Sequence, residues 1–167
     1  MQGRVEVDPS LEPVPIPVSV WNEICAHARE AEPEECCGLV SGDDVARFRR
    51  AHRCRNDMTA LHERDPLSYP KDGRNAFHMN ELDYAEVDRQ AADRGERVTA
   101  IYHSHVGPGA YFSEDDQQFA ADEAFPFPDA DHIVVSVFEG RVIGHGLFRR
   151  DGRTGAFVGR AVVPEIA

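Results

Sequence analysis

Residues 97–116 read RVTAIYHSHVGPGAYFSEDD, and this stretch decides how the middle of the chain folds. Its first part is apolar and β-branched, which is typical of a buried strand. Side chains at positions i and i+2 of a strand point to one face, so we expect His103 and His105 to converge at the strand end. After a glycine-rich loop, Ser113 opens a segment to Glu123 that the pattern predicts to be helical. Asp116 then lies in its first turn, on the same side.

The spacing H-x-H-x7-S-x2-D indicates a hydrolytic zinc site. Two imidazole nitrogens and a carboxylate suit catalytic zinc, because they leave one tetrahedral position for water, whose pKa falls to about 7 on binding. No acidic residue lies inside the histidine motif, so the proton acceptor must come from elsewhere. Ser113 and Asp116 could also form a helix N-terminal cap, and that role is compatible with metal binding.

These residues resemble the JAMM (MPN-plus) metalloprotease family, whose pattern starts with a glutamate far upstream, at the beginning of a strand. Here that element is PEECCGLVSG, residues 33–42. The glutamate directly before the x-x-small-apolar-apolar run is Glu35, which favours it over Glu34 or Glu32. The resemblance extends from about Val18 to Val163.

The resemblance implies one zinc ion (Zn2+) per chain, bound by His103, His105 and Asp116. It further implies that Glu35 shuttles the proton and that Ser113 steadies the oxyanion.

Many family members have proline after the second histidine and before the serine, where this chain has Val106 and Phe112. Neither position supplies a ligand, so we expect an altered substrate groove rather than lost chemistry. Aromatic residues beside a site commonly anchor a ligand, and this makes Tyr111 and Phe112 candidate substrate-binding residues. An inward-facing core contact is an equally good interpretation of that pair.

Family members cleave after the C-terminal Gly-Gly of ubiquitin or ubiquitin-like proteins, and compact bacterial versions are associated with sulfur-carrier systems. The resemblance therefore implies a zinc metallopeptidase or isopeptidase with a Gly-Gly-tailed carrier protein as its partner. Tail processing, release of an amino acid and deconjugation of a protein all remain open. One alternative is a non-catalytic MPN-type binding scaffold. A zinc deaminase would need H-x-E with P-C-x-x-C, which the chain lacks.

Composition narrows the class of protein. A chain of 167 residues with 41% hydrophobic content suits one domain, which we place at residues 18–167. Residues 1–17 are predicted to be an extended, proline-rich lead-in that packs loosely or mediates contacts. The net charge of −12 argues against nucleic acid as a partner. No stretch is apolar enough to cross a membrane, and residues 1–10 do not resemble a secretion leader. Four cysteines without C-x-x-C spacing indicate reduced thiols in a cytoplasm. The oligomeric state stays open.

The predicted fold class is α/β (α+β), an MPN-like mixed sheet flanked by about three helices, with the zinc site at a strand end and a helix N-terminus. The predicted helices are Ser19–Ala31, capped by Ser19, Asn80–Arg94, stopped by Gly95, and the segment from Ser113. The remaining predicted strands are Cys36–Val40, a partner strand ending at Arg55, His132–Phe138, Val142–Phe148 and Ala156–Val163. Asn56–Asn75 is predicted to be a long loop that faces substrate. Alternating arginines from Arg47 to Arg55 predict either a solvated strand face or a basic stripe for an acidic protein partner.

Overall fold

The structure is a computed structural model, which describes residues 3–166 as eight strands and four helices. In chain order these elements are β1 (Val14–Pro17), α1 (Val18–Ala31), β2 (Cys37–Gly42), β3 (Arg50–Cys54), α2 (Met58–Arg64), α3 (Glu81–Asp93), β4 (Arg97–Val106), α4 (Glu114–Ala121), β5 (Asp131–Phe138), β6 (Arg141–Arg150), β7 (Phe157–Arg160) and β8 (Val162–Glu165). Six of the strands form one mixed sheet in the order β3-β2-β4-β5-β6-β7, and β1 pairs with β8. None of the helices within 3–166 has the length and apolar character needed to span a membrane.

The centre of the sheet is the parallel pair β4–β5, while the other neighbours in this sheet run antiparallel. Parallel neighbours cannot be joined by a tight turn, so the chain must cross over between them. Here the crossover consists of the glycine-rich loop and α4. This connection brings the N-terminus of α4 back to the C-terminal end of β4.

The two faces of the sheet carry separate cores. On one face α1 contributes Val20, Ile24 and Ala28, which pack in one cluster with Tyr102. On the other face α3 contributes Val87 and Ala91, and Val87 packs in one cluster with Ile101. Because strand side chains alternate, His103 and His105 share the face of Ile101. The predicted metal site therefore lies on the α3 side of the sheet.

Residues 14–17 are extended, as predicted, and of the two predicted alternatives they mediate contacts rather than pack loosely. Val14–Pro17 forms β1, which pairs in parallel with β8, and Ile16 is fully buried. The alternating prolines do not prevent this, since proline lacks only the donor and is tolerated in edge strands. The predicted cap at Ser19 is wrong, because α1 begins at Val18 after Pro17 and has no side-chain cap.

Two further boundaries differ from prediction. The Asn56–Asn75 segment contains helix α2, which has no buried residue and so lacks the apolar periodicity that predicts a helix. The last predicted strand is two strands, and its second half pairs with β1 rather than continuing a hairpin. The strands at 37–42, 131–138 and 141–150 and the helices at 81–93 and 114–121 confirm the predicted elements to within a few residues at each end.

Candidate metal centre

Three side chains converge where β4 meets α4. His103 Nε2 lies 3.2 Å from His105 Nε2 and 3.3 Å from Asp116 Oδ1, and His105 Nε2 lies 3.7 Å from Asp116 Oδ2. Two ligand atoms bound at about 2.0–2.1 Å to one tetrahedral zinc ion are roughly 3.3 Å apart. The donor types and their separations therefore fit a zinc ion, and these residues form a candidate metal site.

The backbone of β4 fixes the two histidines. His103 is in register with Cys37 of β2 on one side and with Val134 of β5 on the other. The Cys36 N–H donates to Ser104 Oγ (2.7 Å), and the Ser104 N–H donates to the Cys36 carbonyl (3.1 Å). Pairing on both sides leaves this end of the strand little freedom.

A capping box orients Asp116. The Asp116 N–H donates to Ser113 Oγ (3.0 Å), and the Ser113 N–H donates to Asp116 Oδ2 (2.9 Å). This reciprocal pair satisfies two N–H groups at the start of α4 and holds the carboxylate toward the histidines. Both expected roles of Ser113 and Asp116, capping and proximity to the metal ligands, are thus present together.

Neighbouring groups set the tautomer and the plane of the histidine rings. His105 Nδ1 lies 3.0 Å from the Gly109 carbonyl, which can only accept, so Nδ1 carries the proton and Nε2 keeps a lone pair for a metal. Phe77 stacks on the His103 ring at 4.6 Å. His103 Nδ1 is buried and has no hydrogen-bond partner within residues 3–166. The ring plane of His103 is therefore held by packing.

The electrostatics of the ligands favour an anion beside the histidines. Burial opposes ionisation of Asp116, but the nearby His103 and hydrogen bonds from both histidines and Ser113 hold its pKa well below the usual range. Burial also opposes the charged form of His103, yet the Asp116 carboxylate raises the pKa of His103 overall. Asp116 thus stays ionised and attracts positive charge, which is what a cation site requires.

Glu35 lies between α1 and β2 and is only 7% exposed. The Glu35 N–H donates to the Gly73 carbonyl (2.7 Å), and Asn56 Nδ2 donates to the Glu35 carbonyl (3.0 Å). Burial raises the pKa of Glu35 to about 7, with Asp116 adding to the rise and His103 and Lys71 opposing it. A carboxyl poised near neutral pH can both accept and return a proton.

A cavity of about 800 Å³ opens in front of these groups. Its wall includes Glu35, His105, Ser113 and Asp116 together with Tyr111. The opposite wall comes from the 56–77 segment, through Met58, Ser68, Tyr69, Pro70, Lys71, Arg74, Asn75, Ala76 and Phe77. The predicted long loop therefore faces the same space as the candidate site.

Tyr111 and Phe112 have different surroundings. The Tyr111 ring lies 4.8 Å from that of His105 and lines the cavity. Phe112 is fully buried and stacks on Phe148, so its assignment as a substrate-binding residue is corrected to a core role. Its backbone pairs with Val5 through two hydrogen bonds of 2.9 Å, which turn the side chain inward.

The arginines from Arg47 to Arg55 do not form a free basic stripe. Each of the five is in an ion pair: Arg47 with Asp131, Arg49 with Asp43, Arg50 with Glu96, Arg53 with Glu23 and Glu30, and Arg55 with Asp83. The expected alternative of a solvated strand face is closer to the structure. These pairs neutralise the charges that an acidic partner would need.

Several residues beside the site were not predicted. Phe77, Lys71 and Arg74 lie on the long insert, where no periodic signal singled them out. At the N-terminus, Arg4 lies over the Tyr111 ring at 3.6 Å, and Gln117 Nε2 donates to the Gly3 carbonyl (2.9 Å). The N-terminal segment thus braces the loop and helix that carry Ser113 and Asp116.

Comparison with known proteins places this site in a family. Residues 17–145 match the family described as prokaryotic homologs of the JAB domain. Proteins of Mycobacterium bovis and Mycobacterium tuberculosis named CysO-cysteine peptidase are 31% identical over 115 residues, which is 69% of this chain and 67% of theirs. The chain belongs to the prokaryotic JAB domain family, the JAMM/MPN group that the motif resembled.

Solved structures share the fold. A Desulfitobacterium hafniense protein has a TM-score of 0.65 at 19% identity, over 92% of this chain and 94% of that one. A Salinibacter ruber protein has a TM-score of 0.59 at 25% identity, over 91% of each chain. The predicted mixed sheet with flanking helices is confirmed.

Proposed function

We propose that this chain is a zinc-dependent metallopeptidase that hydrolyses the bond after the C-terminal Gly-Gly of a ubiquitin-like or sulfur-carrier protein. The observation that carries the proposal is the convergence of His103, His105 and Asp116 beside the buried carboxyl of Glu35, at the wall of one cavity. Family membership supports it, as does the name of the mycobacterial relatives, which describes a peptidase acting on CysO-cysteine.

The residues divide the reaction between them. When bound, a zinc ion supplies the Lewis acidity that activates water and polarises the scissile carbonyl. Glu35 accepts the proton of the attacking water and returns it to the leaving nitrogen, for which a pKa of about 7 is suitable. Ser113 Oγ accepts from the Asp116 N–H, so its own hydroxyl proton is left to donate to the oxyanion.

The loop after His105 contributes Pro108 to the cavity wall, and the ring of Tyr111 lines the cavity beside His105. We propose that the tail enters extended between this loop and the 68–77 wall, where a Cβ would collide. A folded carrier then docks outside the slot.

The test is a series of carrier fusions that end in Gly-Gly, Ala-Gly or Leu-Gly before the cleaved bond, with products identified by mass spectrometry. We expect the Ala-Gly tail to be cleaved at least about tenfold more slowly, equivalent to roughly 1.4 kcal/mol, and the Leu-Gly tail more slowly still. Equal rates across the series, or scattered cuts in unfolded casein, would favour a general metallopeptidase.

A non-catalytic scaffold is a poorer explanation of this site. Burying Glu35 so that its pKa rises to about 7 costs stability, and a binding module gains nothing from that cost. Catalysis explains why a carboxyl is kept there. The four cysteines are buried free thiols, which supports our proposal of a reducing, cytoplasmic location.

A further inference from the structure

Two basic side chains line the cavity of a strongly acidic chain. Lys71 and Arg74 come from the segment between α2 and α3 and stand on the wall that faces Glu35 and Asp116. The Arg74 guanidinium has no hydrogen bond or ion pair within residues 3–166, although the Arg74 backbone N–H donates to Asp72 Oδ1 (2.9 Å). Arg74 is exposed at the edge of this cavity, so its guanidinium is accessible to a ligand anion.

The Lys71 ammonium group already forms one ion pair. Its Nζ lies 2.7 Å from Asp115 Oδ2, and both side chains are at least half exposed. Lys71 lines the same cavity as Glu35 and Asp116, and the pKa of Lys71 is raised chiefly by its hydrogen bond to Asp115. An ammonium has three protons, so the bond to Asp115 leaves two for another acceptor.

The backbone of Glu35 fixes the position of these cations. Gly73, which lies between them in sequence, accepts the Glu35 N–H (2.7 Å). The Gly73 N–H donates to Thr59 Oγ1 (2.9 Å), which itself donates to Glu34 Oε1 (2.5 Å). A Cβ on Gly73 would lie 2.8 Å from Thr59 Oγ1, so the fit allows no side chain. The segment therefore holds Lys71 and Arg74 at a set place relative to Glu35.

The cavity wall that carries Lys71 and Arg74 would face the departing group of the substrate. In the proposed function, on which this inference rests, Glu35 returns a proton to the departing nitrogen. If the departing group is one amino acid, its α-carboxylate is two bonds from that nitrogen. A cation that recognises this carboxylate must therefore stand within about one side-chain length of Glu35.

We propose that Arg74, assisted by Lys71, binds the free α-carboxylate of a single amino acid attached to the Gly-Gly tail of the carrier. The preferred substrate is then a carrier with one amino acid attached, in agreement with the name CysO-cysteine peptidase of the mycobacterial relatives, and hydrolysis of one amide bond releases that amino acid. Guanidinium can hold a carboxylate through two parallel hydrogen bonds, which adds geometric selectivity to charge. A protein joined through a lysine side chain presents no carboxylate at this distance.

The test uses one matched pair of substrates with the zinc-loaded full-length protein. A ubiquitin-like carrier ending in Gly-Gly-Ala is prepared chemically with either a free C-terminal carboxylate or a C-terminal amide, and kcat/KM is measured for both. We expect the acid to be cleaved with at least about tenfold higher kcat/KM than the amide. Arg74→Gln should lower kcat/KM for the acid by at least about tenfold and change the amide by less than about twofold. Lys71→Gln should act in the same direction with a smaller loss.

Arg64→Gln is the control, because Arg64 is an exposed arginine on α2 that does not line the cavity. It should leave the acid-to-amide ratio unchanged. Equal cleavage of acid and amide by the parent would overturn carboxylate recognition while the peptidase proposal stands. An Arg74→Gln variant that loses both substrates equally would also overturn it, since that pattern indicates a displaced loop. Failure of the zinc-loaded parent to cleave either substrate would overturn the proposed function, and this inference with it.

Discussion

Replacing Glu35 by glutamine should abolish turnover and at the same time make the metal-free protein more stable. The amide keeps the shape of the side chain but cannot accept a proton, so we expect a loss of about 10² to 10⁴ in kcat. The folded protein should become more stable, because glutamine replaces a buried carboxyl whose ionisation lowers the free energy of unfolding. A residue that matters only for packing would not give this opposite pair of effects.

The size of the gain follows from the pKa of Glu35. Burial, reinforced by Asp116 and opposed by His103 and Lys71, raises it from 4.5 to about 7. At about 1.36 kcal/mol per pKa unit, the metal-free protein loses up to roughly 3 kcal/mol at high pH. Below pH 4.5 the carboxyl is protonated in both states and the loss vanishes. Between pH 4.5 and about 7 the unfolded chain releases the proton while the folded chain retains it, so stability falls, and the loss is complete above about pH 7.

Thermal unfolding of chelator-treated protein at pH 4 and pH 8 measures this difference. At pH 8 we expect Glu35→Gln to unfold about 6–12 °C above the parent, given about 2–4 °C per kcal/mol for a chain of this size. At pH 4 the two should unfold together. Glu34→Gln is the matched control, since an amide oxygen can still accept from Thr59 and both activity and stability should stay near the parent's. A Glu35→Gln variant that is no more stable than the parent at pH 8, or that keeps full activity, would refute the reasoning.

Three further outcomes are expected. Protein purified without chelator should contain about one zinc per chain by elemental analysis, and His103→Ala should lose it; a well-folded parent that stays empty when zinc is supplied would contradict the site. Arg4→Ala removes the cation that lies 3.6 Å over the Tyr111 ring, and we expect it to weaken zinc binding severalfold without unfolding the chain. Arg4→Lys should restore most of the zinc affinity. Unchanged zinc affinity in Arg4→Ala would show that the N-terminal segment does not brace the site. Burial, with help from Arg53, lowers the pKa of His27 to about 4, so the unfolded state takes up the proton first and stability falls as the pH drops from 6.5 toward 4. His27→Gln should remove about 1–2 kcal/mol of that fall, after allowance for solvent screening. Identical urea midpoints for parent and variant across this pH range would contradict a role of His27 in the fall.

The sequence was most predictive where the determinants are local. His103, His105 and Asp116 fall within a short stretch, and strand alternation followed by one helical turn is enough to bring them together. The Ser113 cap is equally local. Glu35 could be assigned to the site only through the family resemblance. It precedes β2, which pairs with the histidine-bearing β4 much later in the chain, and no local sequence rule predicts that pairing.

Prediction failed where contacts depend on distant segments. The sequence left the roles of Tyr111 and Phe112 open, and only the pairing of the Phe112 backbone with Val5 decides that the Phe112 ring turns inward. The arginines of β3 find their acids on other elements, as Arg53 does with Glu23 on α1. Arg74 and Lys71 stand on an insert without hydrophobic periodicity, so their approach to Glu35 depends on the bond between Gly73 and the Glu35 backbone.

The helix-cap role of Asp116 and its proposed role as a metal ligand are compatible, because they can use different oxygens. Oδ2 accepts the Ser113 N–H and so completes the cap, while Oδ1 faces His103 at 3.3 Å. One carboxylate therefore serves the fold and the site together, and the cap also keeps it ionised, since the Ser113 N–H is among the groups that lower its pKa. Because folding of α4 already orients this carboxylate, we expect that a cation would need little further organisation of the candidate site. In the same cap Ser113 Oγ accepts the Asp116 N–H, so the hydroxyl proton of Ser113 stays free to donate to another group. A single helical turn therefore offers a carboxylate and a hydrogen-bond donor from residues three apart.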